Sequence, residues 1–101
     1  MVRFEWDPVK ARTNARKHGV MFEDAMHVFE DPCALFEQDL IAEAGEPRWR
    51  ALGLAGGVVL LLVAHTVREE GADEVMRLIS ARRATRKERS HYDETRTQDA
   101  G

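Results

Sequence analysis

The chain has 101 residues, 44% hydrophobic and 33% charged, with a formal net charge of −3, which fits one globular domain with a modest core and argues against a disordered chain. Its longest apolar run, about residues 52–64, is interrupted by three glycines and falls short of the roughly 20 residues a membrane-spanning helix needs. The single cysteine, Cys33, excludes an internal disulfide, and no CxxC pair suggests zinc.

The opening MVRFEWD has no apolar signal-peptide core, so a cytoplasmic location without membrane attachment is expected. The small net charge hides segregation. Residues 21–46 hold eight acids and no Lys or Arg, residues 10–17 hold four bases and no acid, and residues 82–89 hold five bases and one acid. Such segregation lets one face attract phosphate while another attracts a basic partner. Solvated helix faces whose charges never converge are the plainer alternative.

Phe4-Glu5-Trp6 reads as a short strand. Asp7-Pro8 starts a helix, with Asp7 as N-cap and Pro8 at its first position. That helix should end at Lys17-His18, with Gly19 as a left-handed cap and basic side chains at the negative end of the dipole. Phe22, Ala25, Met26 and Phe29 recur at helical spacing and predict a core-facing second helix that stops before Pro32. Strands are expected over Ala34–Leu40, Arg48–Leu54, Val58–Thr66 and Val75–Arg82. The loops between them are Ala44-Gly45-Glu46-Pro47, Ala55-Gly56-Gly57 and the polar segment Glu69–Asp73. Val58–Thr66 is continuously apolar, as a central strand should be. Thr85 and Glu88 form a capping box, Thr85 as N-cap and Glu88 at the third position. A third helix should follow to about Glu94. The order is strand, two helices, four strands, helix, joined by short turns that favour antiparallel neighbours. The expectation is an α+β domain over residues 1–94, two N-terminal helices and one C-terminal helix against a small antiparallel sheet, with a flexible tail over 95–101.

The chemistry gathers late in the chain. Strand alternation sends Arg82 and Arg83 to opposite faces, so at most one of them joins a given site. Arginine offers paired donors that match phosphate oxygens, and the helix start after Arg82 adds backbone N–H groups. RNA carries its own nucleophile, the 2′-hydroxyl. A metal-free ribonuclease therefore needs only a proton acceptor, a proton donor and positive charge on the scissile phosphate. His65, His18, Lys17, Arg68 and Arg82 are the candidate catalytic residues; Arg83, Arg86, Lys87, Arg89 and Tyr92 are the candidate RNA-binding set. Each also has a structural reading: His65 as a hydrogen-bonded sheet-edge residue, Tyr92 as an amphipathic helix side chain, Lys17 and Arg86 as surface charges. The four histidines are scattered with no HxxxH pair, so neither a metal site nor a cofactor is expected, and no GxSxG elbow suggests a serine hydrolase.

An ordered set of segments resembles the BrnT-type toxins of bacterial toxin–antitoxin modules. It begins with Phe4-Glu5-Trp6-Asp7-Pro8, Lys10, Asn14, Lys17-His18-Gly19-Val20 and Phe22-Glu23. It continues with Val28-Phe29-Glu30-Asp31-Pro32, Gly45-Glu46-Pro47-Arg48 and His65-Thr66-Val67-Arg68, and closes with Arg77 through Arg89 and Tyr92. The resemblance spans about residues 3–92. It implies a RelE-like fold and a metal-independent RNA endonuclease that arrests translation. It also implies a BrnA-like ribbon-helix-helix antitoxin, encoded beside it, that neutralises the toxin and alone contacts operator DNA, in a complex of two toxins with an antitoxin dimer. The family pattern falls on Lys17, His18, Arg68 and Arg82. Two other functions fit the same residues: a non-catalytic nucleic-acid or ribosome binder, and an interaction module that grips a basic partner with the acidic segment.

Overall fold

The computed structural model describes residues 1–39 and 47–100, with side chains to residue 96. The elements run β1 (Val2–Glu5), α1 (Pro8–His18), α2 (Phe22–Ala25), a 3-10 helix (Met26–Glu30), β2 (Leu35–Asp39), β3 (Arg48–Ala55), β4 (Val59–Glu70), β5 (Asp73–Arg83) and α3 (Arg86–Ala100). This is the expected α+β order. The segment expected as a loop at Ala44–Glu46, and Leu40 at the end of the second strand, lie outside the described residues.

Local signals set the helix ends. Asp7 accepts a hydrogen bond from the Val9 N–H at 2.8 Å, and Pro8 needs no donor at the first helical position. Gly19, at φ 69°, closes α1 by donating to the Ala15 carbonyl. The second helix differs from expectation. It turns 3-10 after Ala25, so Phe22, Ala25 and Val28, spaced by three, are the fully buried residues, while Met26 and Phe29 are only partly buried. The tighter helix presses close to β3. A Cβ on Gly53 would meet Val28 Cγ1 at 3.0 Å and Ala34 Cβ at 3.1 Å, so a larger residue here would push Val28 or Ala34 by a few tenths of an ångström.

The sheet order is β1-β5-β4-β3-β2. Four strands are antiparallel neighbours, but β1 pairs parallel with β5 through Val2↔Glu74 to Glu5↔Arg77. The sheet is therefore mixed rather than wholly antiparallel. The intervening α1, α2, β2, β3 and β4 supply the long crossover that a parallel pair requires. The expected polar loop Glu69–Asp73 shrinks to Gly71-Ala72, because Glu70 pairs with Asp73 across the β4–β5 hairpin. Their charges are used on the sheet surface: Arg3 meets Glu70 at 3.1 Å and Asp73 at 3.2 Å.

Pairing shifts by one residue where Ala64 faces Ser80 and His65 faces Leu78, leaving Ile79 as the extra residue of a β-bulge. The bulge reverses the alternation, so Leu78 and Ala81 face the same way. One sheet face carries Ala51, Leu61, Val63, Leu78 and Ala81 against Val20, Phe22, Ala25 and Val28. The opposite face carries Leu52 and Leu60 against Tyr92 of α3. Above the bulge, β5 has no strand on its outer side among the described residues. There Asn14, 5% exposed, stands in for one: its amide donates to the Ala81 carbonyl at 2.9 Å and accepts from the Ala81 N–H at 3.0 Å. Helix α3 runs past the expected end at Glu94 to Ala100.

Candidate functional site

The capping box forms as the sequence predicts. Thr85 Oγ1 accepts from the Glu88 N–H at 3.2 Å, and Glu88 accepts from the Thr85 N–H at 2.8 Å. Glu88 does more than cap. It takes Arg82 through two parallel contacts, Nη1 to Oε1 at 2.9 Å and Nη2 to Oε2 at 3.0 Å. The hydrogen bond from Arg82, opposed by burial and aided by the Thr85 N–H, brings the Glu88 carboxyl down to about 2. The strand-to-helix handover thus carries five bases, one of them already held by a carboxylate.

Beneath α3 the sheet face forms a groove of about 360 Å3. Leu52 and Leu62 line its floor, Lys87, Glu88 and His91 project from the helix, and Arg50 and Glu37 stand opposite. Lys87 and His91 are four apart and so share a helix face. Arg50 and Leu52 are two apart in β3 and so share a sheet face. Those two spacings were the available signal for Arg50 and His91, which sequence reasoning did not select.

Tyr92 anchors the helix over this groove. It is 2% exposed, and its hydroxyl donates to Asp31 Oδ2 at 2.6 Å. Asp31 also accepts from the Cys33 and Leu54 N–H groups, both at 2.8 Å. Burial pushes the Asp31 carboxyl up, but the hydrogen bonds from Leu54, Tyr92 and Cys33 outweigh it and hold it below the usual range. Burial first, then the Asp31 carboxylate, push the Tyr92 hydroxyl to about 12. Tyr92, selected as an RNA contact, is thus a core residue with no free ring face for a base.

The other candidates separate. Arg68 shares the α3 face of the sheet with Arg82, but their register places it six residues along β4 from Leu62, the partner of Arg82, or about 20 Å away. There it is bound to Glu5 at 2.6 Å and Glu70 at 3.0 Å, while Arg77 takes the other Glu5 oxygen at 2.7 Å. Hydrogen bonds from Arg68 and then Arg77, with burial opposing, hold the Glu5 carboxyl below its ordinary range. This lattice covers the sheet above Val75, which is 1% exposed.

His65 faces the other way. It is 1% exposed, with its ring edge-on to Phe29 at 4.8 Å and to Phe36 at 6.4 Å. Its Nδ1 lies 3.3 Å from the Val63 carbonyl, which requires the proton on Nδ1. Burial lowers its pKa and the Val63 carbonyl only partly restores it. The imidazole is enclosed on the sheet face away from Arg82, so the structure does not bring these two candidate residues together.

Lys17 and His18 stand at the open edge of β5, lining a shallow groove with Ile79 and Ser80. Ser80 lies two residues before Arg82 in the strand, about 7 Å. Arg86, Lys87 and Arg89 are exposed in the first turn and a half of α3. Arg83 emerges on the face opposite Arg82 and lines a separate groove beside Gly19 and Val20. Lys17, His18, Arg82 and the α3 bases therefore lie around one end of the molecule, and His65, Arg68 and Tyr92 do not join them. Among the described residues no three His, Cys, Asp or Glu side chains gather as metal ligands, and no helix is long and apolar enough to cross a membrane.

Comparison with known proteins gives this arrangement a context. No curated protein matches the chain. Among solved structures it is similar to the 1.1 Å crystal structure of the Brucella abortus ribonuclease toxin BrnT, with a TM-score of 0.61 and 25% identity over 85% of this chain and 100% of that one. The family described as the ribonuclease toxin BrnT of type II toxin–antitoxin systems matches residues 6–88. With four-fifths of its length inside that match and its fold shared with a solved member, the chain belongs to the BrnT family of ribonuclease toxins.

Proposed function

We propose that this chain is the toxin of a type II module and cuts RNA in the groove under α3, without a metal ion. The observation that carries the reading is the juxtaposition of Lys87, His91 and Arg50 along one apolar-floored groove, with Arg82 bound to Glu88 of the same groove. An RNA backbone entering it competes with Glu88 for the Arg82 guanidinium. Arg82 then faces the non-bridging oxygens, where negative charge grows as the 2′-oxygen bonds to phosphorus and the 5′-oxygen leaves. Lys87 and Arg50 neutralise flanking phosphates. His91, an imidazole open to solvent in the groove, takes over the proton-transfer role first considered for His65. Glu88, held at about 2, is too weak a base to take the 2′-hydroxyl proton at neutral pH. Lys17 and His18 hold the strand where it crosses the β5 edge, and Arg86 and Arg89 extend the positive track.

The family supplies the context of an antitoxin partner and an RNA target. The finer reading is a ribbon-helix-helix antitoxin, two toxins on an antitoxin dimer, operator DNA bound only through that antitoxin, and action in the cytoplasm. The test is a purified toxin given end-labelled RNA in EDTA. Cleavage should persist and leave 2′,3′-cyclic phosphate ends. Arg82→Ala should slow it by about 10²–10³-fold and His91→Ala by about 10²–10⁴-fold, with folding intact. RNA that stays whole, or is cut only when a divalent ion is restored, overturns the reading.

A further inference from the structure

On the far side of the β5 end from Arg82 lies a groove of about 310 Å3. Val20, Val59 and Leu61 give it apolar walls, and Asp24 and Arg83 stand at its rim. Gly19 and Gly56 also border it, and a Cβ at either would meet nothing within 4 Å among the described residues, so the groove is open beside both glycines. The third polar group at the rim, His27, is already occupied by Glu30 at 2.9 Å. The side chains of Asp24 and Arg83 have no hydrogen-bond or ion-pair partner among the described residues. Two opposite charges thus share a groove without closing on each other.

We propose that this groove is a guanine-recognition pocket for single-stranded RNA, a reading that rests on the chain being an RNA-cutting toxin. Arg82 and Arg83 are consecutive and point to opposite faces, so a strand whose phosphate sits at Arg82 can turn a neighbouring base over the β5 end toward Arg83. Guanine alone presents two adjacent donors, N1–H and N2–H, together with two adjacent acceptors, O6 and N7. The Asp24 carboxylate takes the first pair and the Arg83 guanidinium supplies the second. Adenine and cytosine set a ring-nitrogen acceptor beside their amino group, which repels the carboxylate. Uracil offers one donor between two carbonyls. The apolar walls cover the ring faces, a contact open to any base, so discrimination rests on Asp24 and Arg83.

The test uses 2′-O-methyl pentanucleotides, UUGUU against UUAUU, which lack the nucleophile and so report binding whether or not the protein cuts RNA. Fluorescence anisotropy with the full chain should show guanine preferred by about tenfold or more. Arg83→Ala and Asp24→Asn should each bring the two affinities close together, and both side chains are exposed enough to leave the fold unchanged in a thermal melt. Equal affinity for the two oligonucleotides, no binding of either, or a guanine preference that survives both substitutions overturns the proposal. Failure of the toxin to cut natural RNA is read separately, in the cleavage assay, and leaves this comparison standing.

Discussion

Arg82 lies against Glu88 through two contacts of 2.9 and 3.0 Å, so the side chain best placed to hold a phosphate is held by a carboxylate from the helix that follows it. The pair is partly buried, with side-chain exposures of 38% and 24%. It both fixes the guanidinium and neutralises it. In the proposed mode of action RNA displaces Glu88 to reach Arg82, with the carboxylate as an internal competitor. Glu88→Gln keeps an acceptor for the Thr85 N–H but removes the competing charge. A non-cleavable RNA should bind the variant about tenfold to a hundredfold more tightly, the range that about 1.5–3 kcal/mol for charged hydrogen bonds implies, while cleavage survives. A variant that binds as before yet no longer cuts would give Glu88 a chemical role and sink this account.

The same pair predicts how the fold responds to acid. The Glu88 carboxyl is held at about 2 against an ordinary 4.5. Its folded value is depressed, so its stabilisation is present above about pH 4.5 and is lost as pH falls through the folded value. A displacement of that size corresponds to at most about 3 kcal/mol at neutral pH. Denaturant unfolding from pH 6 to pH 3 should show the loss in the intact chain and a smaller one in Glu88→Gln. Equal acid sensitivity of the two would mean that the pair contributes nothing measurable.

His65 predicts a second pH effect in a different window. Burial lowers its folded pKa below the ordinary 6.5, so the unfolded chain binds a proton that the folded chain refuses. The stability is complete above about pH 6.5 and falls as acidity increases below it. His65→Leu should flatten the stability profile between pH 7 and pH 5 and leave RNA cleavage in place, because the ring lies against Phe29 and Phe36 on the face away from Arg82. Loss of cleavage in a folded His65→Leu protein would return this residue to the site.

The parts of this architecture that could be read from the chain are those set within one turn of the backbone. Asp7-Pro8 with Gly19, and Thr85 with Glu88, mark helix ends because each cap bonds a neighbour two to four residues away. The opposite directions of Arg82 and Arg83 were legible for the same reason, since both lie beyond the bulge. What could not be read depends on distant partners. Nothing local says that Val2–Glu5 lies parallel to Glu74–Arg77, or that Ile79 is an extra residue that turns Leu78 and Ala81 the same way. The charges misled by type. Arg68 has the chemistry of a phosphate ligand, but Glu5, 63 residues earlier, and Glu70 claim it. Tyr92 has the chemistry of a stacking platform, but Asp31 and the second core cluster enclose it.

Phe22 tests the larger core. It is fully buried and meets Trp6 edge-on at 5.8 Å, tying the entry to α1 to the start of α2. Phe22→Ala removes the ring and leaves a cavity between the helices and the sheet, which should cost about 3–5 kcal/mol. That is a large fraction of the total stability of a domain this size. Thermal melting of the pure protein measures it directly, and a loss below about 1 kcal/mol would contradict the packing described.

Asn14 gives the last prediction, because it joins the fold to the basic edge. Its amide bonds the Ala81 N–H, the Ala81 carbonyl and the Val20 carbonyl at 3.0, 2.9 and 3.0 Å. Asn14→Ala leaves the Ala81 groups on β5 unpaired in a buried place, at about 1–3 kcal/mol for each group stranded. It also releases α1, and with it Lys17 and His18, from the strand that carries Arg82. RNA affinity should therefore fall together with stability. Asn14→Asp separates the two effects. A carboxylate still accepts from the Ala81 N–H but faces two carbonyl oxygens it repels, so the variant should be destabilised at pH 7. Protonation restores one donor, and the difference from the intact chain should narrow at pH 4. A deficit that does not change with pH would show that volume at this position, and not the two donated hydrogen bonds, holds α1 on the edge of β5.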